Sequence, residues 1–209
     1  MSDAPVRQAA RRLGVLVSGR GSNLQALIDA TREGRLDAVV AVVVSNVPGA
    51  PALARAAAAG IETLVAPHRD WPSREAYDEH LAAALRSRQI DVVCLAGFMR
   101  RLSERFLEGF TGPVLNVHPS LLPAFAGVDA VGQALAHGVK VAGCTVHLVT
   151  PELDAGPIVR QAAVPVLPGD TAESLGARIR VEEHRLLPEA VSRVLAGRWH
   201  VEGRRFVDV

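Results

Sequence analysis

Leu13-Gly14-Val15-Leu16-Val17-Ser18-Gly19-Arg20-Gly21-Ser22-Asn23, running on into Leu24–Arg35, decides the fold of this chain. A short apolar run passes through a glycine-bearing loop into an amphipathic helix, with Asn23 or Ser22 as its expected N-cap. The alternation then continues. Ala38–Ser45 is a β-branched strand, Asn46–Pro51 a loop, and Pro51–Ala59 a helix stopped by Gly60. Thr63–Val65, Ile90–Leu95 and Val114–His118 read as strands, separated by helices over Ser73–Arg88 and Ser103–Glu108. Strands and helices in that order predict a mostly parallel sheet covered on both faces. The last third departs from the pattern. Val141–Thr150 and Ile158–Val166 are strands with no helix between them, hence an antiparallel pair. From Thr171 a long helix runs towards Leu195, with a kink expected at Pro188. The fold class is therefore α/β: a Rossmann-like, mostly parallel twisted sheet with helices on both faces and antiparallel strands in the C-terminal third. One domain over residues 1–209 is expected, with Met1–Arg12 as a loose leader lacking the apolar core of a secretory signal.

Composition narrows the function. Of 209 residues 49% are hydrophobic but only 4% aromatic, so Ala, Val and Leu must build the core. A formal charge of +1 without a long Lys/Arg cluster argues against a nucleic-acid partner. Cys94 and Cys144 both lie in apolar runs and read as small buried core residues. No pair of His or Cys residues has zinc spacing, so no metal is expected. No 18-residue apolar run is present to span a membrane. A reduced, cytoplasmic protein is the simplest expectation.

Ligands of open parallel sheets bind beyond the carboxyl ends of the strands. Three polar stretches, residues 18–23, 96–102 and 116–123, all follow strands. In the first, glycines allow close backbone approach and the helix N-terminus favours an anion, which suits a phosphate monoester. The third glycine of a dinucleotide fingerprint is missing, Ser45-Asn46 stand where a ribose-binding acid would, and no P-loop lysine follows. Taken alone, a tight turn with a Ser/Asn cap is an equal alternative. In the third stretch, Asn116 and His118 project from one face of a strand, about 7 Å apart along the backbone. Leu153-Asp154-Ala155-Gly156-Pro157 supplies a carboxylate, which either caps a turn or bonds the His118 ring. An amide donor, an imidazole that moves a proton and a carboxylate to orient it suit acyl transfer. His147, on an apolar strand, borders the region without an assigned role.

With these residues in place, the chain resembles the glycinamide ribonucleotide formyltransferases of the folate-dependent purine pathway, from Gly14 to about Arg198. The resemblance rests on Ser18-Gly19-x-Gly21-Ser22-Asn23-Leu24-Gln25-Ala26, Ser73-Arg74-Glu75-Ala76-Tyr77-Asp78, Leu95-Ala96-Gly97-Phe98-Met99-Arg100, Asn116-x-His118-Pro119-Ser120-Leu121-Leu122-Pro123 and Val149-Thr150-x-Glu152-Leu153-Asp154-x-Gly156-Pro157. It implies transfer of a formyl group from 10-formyltetrahydrofolate, a co-substrate, to the amine of glycinamide ribonucleotide, giving formylglycinamide ribonucleotide and tetrahydrofolate in purine biosynthesis. By resemblance Asn116, His118 and Asp154 match the catalytic trio, and Gly21, Ser22 and Asn23 the segment holding the substrate phosphate. Arg180, Val181, Glu182 and Glu183 match a further substrate-binding segment, in which Glu183 carries most weight. Arg74, Met99, Arg100, Arg101, Leu102 and Asn116 match folate-contacting positions, with the loop Thr150, Pro151, Glu152, Leu153 and Asp154. A monomer or homodimer is implied, with neither nucleic acid nor membrane as partner. The sequence departs from the family at Ala124–Val131, where Ala124 and Ala126 replace a usual Lys and Pro, and Asp129 and Val131 stand where histidines are common. Formyl-folate hydrolases and transferases acting on aminoacyl-tRNA or amino sugars share the fold. Of these, the tRNA enzyme is expected to carry an additional C-terminal domain and the hydrolase an extra N-terminal one, and this chain is expected to have room for neither.

Overall fold

A computed structural model describes residues 10–209. In chain order the elements are β1 (Arg11–Val17), α1 (Ser22–Arg32), β2 (Ala38–Ser45), α2 (Pro51–Ala58), β3 (Glu62–Val65), α3 (Arg74–Arg86), β4 (Val92–Leu95), α4 (Glu104–Gly109), β5 (Val114–His118), α5 (Ala130–Ala136), β6 (Val141–Leu148), β7 (Ile158–Pro165), α6 (Ala172–Leu195), β8 (Trp199–Glu202) and β9 (Arg205–Asp208). The strands form one sheet in the order β3-β2-β1-β4-β5-β6-β7-β9-β8. From β3 through β5 every pair is parallel, whereas β5–β6, β6–β7 and β8–β9 are antiparallel.

Both faces are covered, as the near-continuous apolar strands require. Alternation along β1 shows the division: Leu13, Val15 and Val17 join the larger core beneath α1, α2 and α6, while Leu16 joins the core beneath α3 and α4. Strand order reverses beside β1, which lies between β2 and β4. Such a reversal opens a crevice at the carboxyl ends of the strands. Cys94 and Cys144 are free and buried, and burial pushes both thiols up to about 12.

Three expectations change. Arg11 and Arg12 belong to β1 and not to a leader: the Arg12 N–H donates to Asp91 Oδ2 at 2.7 Å and its Nε to the Arg88 carbonyl at 2.8 Å. The rest of that leader, residues 1–9, lies outside the described residues. Gly21, with φ 75°, is the N-cap of α1 instead of Ser22 or Asn23, and among the described residues no side chain caps that helix. The long helix expected towards Leu195 is present as α6, one 24-residue element with Pro188 inside it and an inner stripe of Leu175, Ile179, Leu186, Leu187 and Val191 buried in the core. Tertiary packing of that stripe outweighs the lost N–H. Finally, α5 and the β8–β9 hairpin were not expected. α5 begins inside the Ala124–Val131 departure, where Asp129 adopts φ 54° and caps the Gly132 N–H.

Candidate active site

Asn116 and His118 lie on β5, and β5 pairs with β6 so that Asn116 faces His147 and His118 faces Thr145. Asn116 Nδ2 is 3.2 Å from His147 Nε2. His118 Nδ1 is 3.4 Å from Asp154 Oδ2, and His147 Nε2 is 3.7 Å from Asp154 Oδ1. Both rings and the carboxylate are nearly buried. Asp154 reaches them from the loop after β6, where it holds φ 49° and accepts the Gly127 N–H at 2.8 Å. Gly156 allows that loop to return: a Cβ there would lie 1.7 Å from the Leu148 carbonyl oxygen.

The hydrogen bonds constrain the protons. His118 Nε2 meets the Phe125 carbonyl at 2.9 Å, so it donates there, while Nδ1 faces a carboxylate. One ring nitrogen is thus hydrogen-bonded to the backbone and the other stands at ion-pair distance from Asp154. His147 Nδ1 meets the Leu148 carbonyl at 3.0 Å and so carries a proton. In its neutral form Nε2 then accepts from the Asn116 amide; when protonated, Nε2–H turns towards Asp154. His147 was left without a role by the sequence, and the structure places it between the amide and the acid.

The other expected residues fall on two sides of this centre. Gly21, Ser22 and Asn23 form the start of α1, whose uncapped N–H groups suit an anion. Asn23 Nδ2 donates to Glu183 Oε2 at 2.9 Å, and Asn23 Oδ1 is buried without a partner among the described residues. Arg180 is close enough for its charge to act on Glu183. Val181 is 66% exposed, and Glu182 pairs with Arg185 at 2.8 Å.

On the other side, Met99 is 75% exposed and Leu102 is buried. The Met99 N–H donates to Ser18 Oγ at 2.8 Å, and the Arg74 guanidinium to the Leu102 carbonyl at 2.8 Å. Arg101 donates to the Pro151 carbonyl, tying residues 99–102 to the loop 150–154. Arg100 stacks over the Tyr77 ring at 5.1 Å. Thr150 bonds only the Glu152 carbonyl at 3.4 Å, and Leu153 is half exposed. Among the described residues no group of three or more His, Cys, Asp or Glu is placed to hold a metal ion.

The family described as formyl transferase matches residues 11–191 of this sequence, which include all these groups. The chain belongs to the formyl transferase family. Two relatives frame this formyl transferase. The phosphoribosylglycinamide formyltransferase of Escherichia coli (strain K12) is 44% identical over 190 residues, covering 91% of this chain and 87% of that protein. The trifunctional purine biosynthetic protein adenosine-3 of Drosophila melanogaster is 48% identical over 192 residues, of which the chain spans only 14% of the length. Among solved structures, glycinamide ribonucleotide transformylase 1 from Symbiobacterium toebii superposes with a TM-score of 0.96 at 50% identity, covering 100% of this chain and 98% of that one.

Electrostatics separate the two acids of this formyl transferase. Burial raises the Asp154 carboxyl, but the His147 contact, the Gly127 N–H and the charges of His118 and His147 outweigh it and hold the group below its ordinary value. Glu183 goes the other way. Burial lifts it, and the Asn23 hydrogen bond with the charges of Arg180 and His118 offsets that only in part.

Proposed function

We propose that this protein is a phosphoribosylglycinamide formyltransferase, a one-carbon group transferase of de novo purine biosynthesis. It moves the formyl group of 10-formyltetrahydrofolate to the amine of glycinamide ribonucleotide. The observation that carries this is the meeting of His118 Nδ1 with Asp154 Oδ2 at 3.4 Å, beside an amide held 3.2 Å from a second imidazole. Sequence identity of 44–50% to proteins named for this reaction supports it.

Each group then has a task. Ser22 and Asn23 at the α1 N-terminus bind the nucleotide phosphate, and Glu183 holds the nucleotide beside it. Residues 99–102, Arg74 and the loop 150–154 take the folate, and the Nε of Arg100, buried with no partner among the described residues, fits an anionic or carbonyl group there. The folate supplies the formyl carbon. As the amine approaches, negative charge builds on the formyl oxygen, and the Asn116 amide and the His118 imidazolium stabilise it. Donors so placed are typically worth about 3–4 kcal/mol each. One C–N bond forms and one breaks, and a proton passes from the amine to the departing nitrogen. His118 carries it, and such help is worth roughly 10²–10⁴-fold. Its Nε2–H reaches the substrate when the bond to the Phe125 carbonyl opens, while Asp154 orients the ring from the Nδ1 side.

Whole-protein properties follow from the same proposal: a cytoplasmic enzyme acting as one domain, monomer or homodimer, without metal, nucleic acid or membrane. Among the described residues no helix is long and apolar enough to cross a membrane. The test is a formylation assay with 10-formyltetrahydrofolate, run with and without glycinamide ribonucleotide. Formylated nucleotide should appear in step with tetrahydrofolate. Equal folate turnover without the nucleotide would make the protein a hydrolase and overturn the proposal.

A further inference from the structure

The peptide unit joining Leu102 to Ser103 is gripped at both of its polar atoms by one turn of α3. The Arg74 guanidinium donates to the Leu102 carbonyl at 2.8 Å, and Asp78 Oδ2 accepts the Ser103 N–H at 2.6 Å. Arg74 and Asp78 are themselves an i,i+4 pair, with Nε and Oδ2 4.0 Å apart. An i,i+4 spacing puts both side chains on one helix face, so a single rigid element holds donor and acceptor against a single peptide. Ser103 is the N-cap of α4, yet its side chain makes no cap bond. In a capping box the N-cap N–H is taken by a Glu or Gln three residues on; here that position is Phe106, and Asp78 takes the N–H from another helix.

The arrangement is expensive for a group serving stability alone. Asp78 is 1% exposed, and its Oδ1, like Ser103 Oγ, is buried with no partner among the described residues. A buried acid with one satisfied oxygen is usually no better than an apolar residue of the same shape. What it does secure is position. The segment from Gly97 to Ser103 is tied at its start by Ser18, whose N–H donates to the Gly97 carbonyl at 3.0 Å and whose hydroxyl accepts the Met99 N–H. At its end the backbone is held by the Arg74–Asp78 grip, while the Arg101 side chain reaches the Pro151 carbonyl. Met99, Arg100 and Arg101 hang between these two anchors.

We propose that Asp78 is a positioning residue for the formyl-donor site: it holds Met99–Leu102 in the conformation that receives the folate. This rests on the assignment of that segment to the folate under the proposed function. Asp78 touches neither substrate and has no part in moving the proton.

The test compares the purified Asp78→Ala and Asp78→Asn variants with the unaltered protein in steady state, varying each substrate in turn, with tetrahydrofolate binding titrated separately. Losing an acceptor for a backbone N–H within a charged pair should raise the KM for 10-formyltetrahydrofolate about tenfold or more in Asp78→Ala. The kcat and the KM for glycinamide ribonucleotide should stay within about twofold, since uniform donor binding is what is lost. Asp78→Asn keeps an oxygen for Ser103 and should recover part of the donor affinity. Should the alanine variant fail to fold, Asp78→Asn decides alone by the same split. Donor KM and tetrahydrofolate affinity equal to those of the unaltered protein, or equal losses for both substrates, would overturn the proposal. Absence of formyl transfer in the unaltered protein would instead sink the functional assignment, and the tetrahydrofolate titration would still read out the grip.

Discussion

Asn23 Nδ2 and Glu183 Oε2 share a buried 2.9 Å hydrogen bond between residues 160 positions apart in the chain. It fastens the first turn of α1 to the middle of α6, so the phosphate-binding end and the acid beside it are positioned as one unit. Glu183 is lifted by burial above its ordinary value, which fixes the sign of its effect on stability. Below the unfolded value of 4.5 the group is protonated in both states. As pH rises past it the unfolded chain ionises first, and stability falls. Glu183→Gln keeps an oxygen for Asn23 and removes that liability. It should raise Tm at pH 7, with the gain vanishing towards pH 4, while the KM for glycinamide ribonucleotide rises about tenfold or more through loss of a charged acceptor. Thermal melts across pH together with steady-state kinetics check both halves.

His118→Ala should lower kcat by roughly 10²–10⁴-fold, the usual contribution of a general acid–base group, with nucleotide affinity nearly unchanged by calorimetry. Asp154→Asn should also remove most turnover, because the negative charge that faces both imidazoles is lost. Asp154 is held below its ordinary value, so the stability it contributes is present above 3.8 and is lost as pH falls through its lower native value. The asparagine variant should therefore lose less stability than the unaltered protein on acidification below about pH 4, a difference that acid titration followed by circular dichroism would show.

Much of this architecture was legible because buried parallel strands are written as continuous apolar runs. Ala38–Ser45 and Val114–His118 have the same bounds in sequence and structure, and the helix expected over Ser73–Arg88 is α3, with Ser73 as its cap accepting the Ala76 N–H at 3.1 Å. The convergence of His118 with Asp154 was readable because each stands in a distinctive motif. His147 was not, although both of its strands were identified. Its place opposite Asn116 depends on the β5–β6 register, and the long connection between those strands carries no tight turn to set that register. Asp78 escaped notice for a similar reason: its partner is a backbone N–H, which no residue type announces. The β8–β9 hairpin had a signal that went unused, since Trp199, Val201 and Phe206 alternate around a turn at Gly203, whose φ is 60°.

His147 Nε2 lies 3.2 Å from the Asn116 amide, and when it accepts that N–H it fixes which way the amide faces. His147→Leu removes the acceptor and should lower kcat about tenfold, in line with loss of one neutral hydrogen bond from a donor acting in the transition state. His147→Gln, which can offer an oxygen at a similar reach, should restore part of the rate. Equal loss in both variants would show that the ring acts through packing and not through the amide.

Gly21 is the glycine of the first loop whose geometry admits least change. Its φ of 75° is left-handed, and a Cβ there would stand 2.6 Å from Ala52 Cβ and 2.8 Å from Ala52 Cα. α2 therefore abuts the loop, and the Ala52 N–H donating to the Gly19 carbonyl at 3.1 Å fastens them together. An L-residue in that conformation costs roughly 1–2 kcal/mol before any clash, and a backbone atom is among those in the way. Gly21→Ala should lower stability by about 1–3 kcal/mol. Relief requires the loop to move off α2, which swings the Ser22 and Asn23 N–H groups away from the phosphate, so the nucleotide KM should rise at least as much as the donor KM. Gly19→Ala is the control: nothing lies within 4 Å of a Cβ at that position, and its stability should stay within about 0.5 kcal/mol of the unaltered protein.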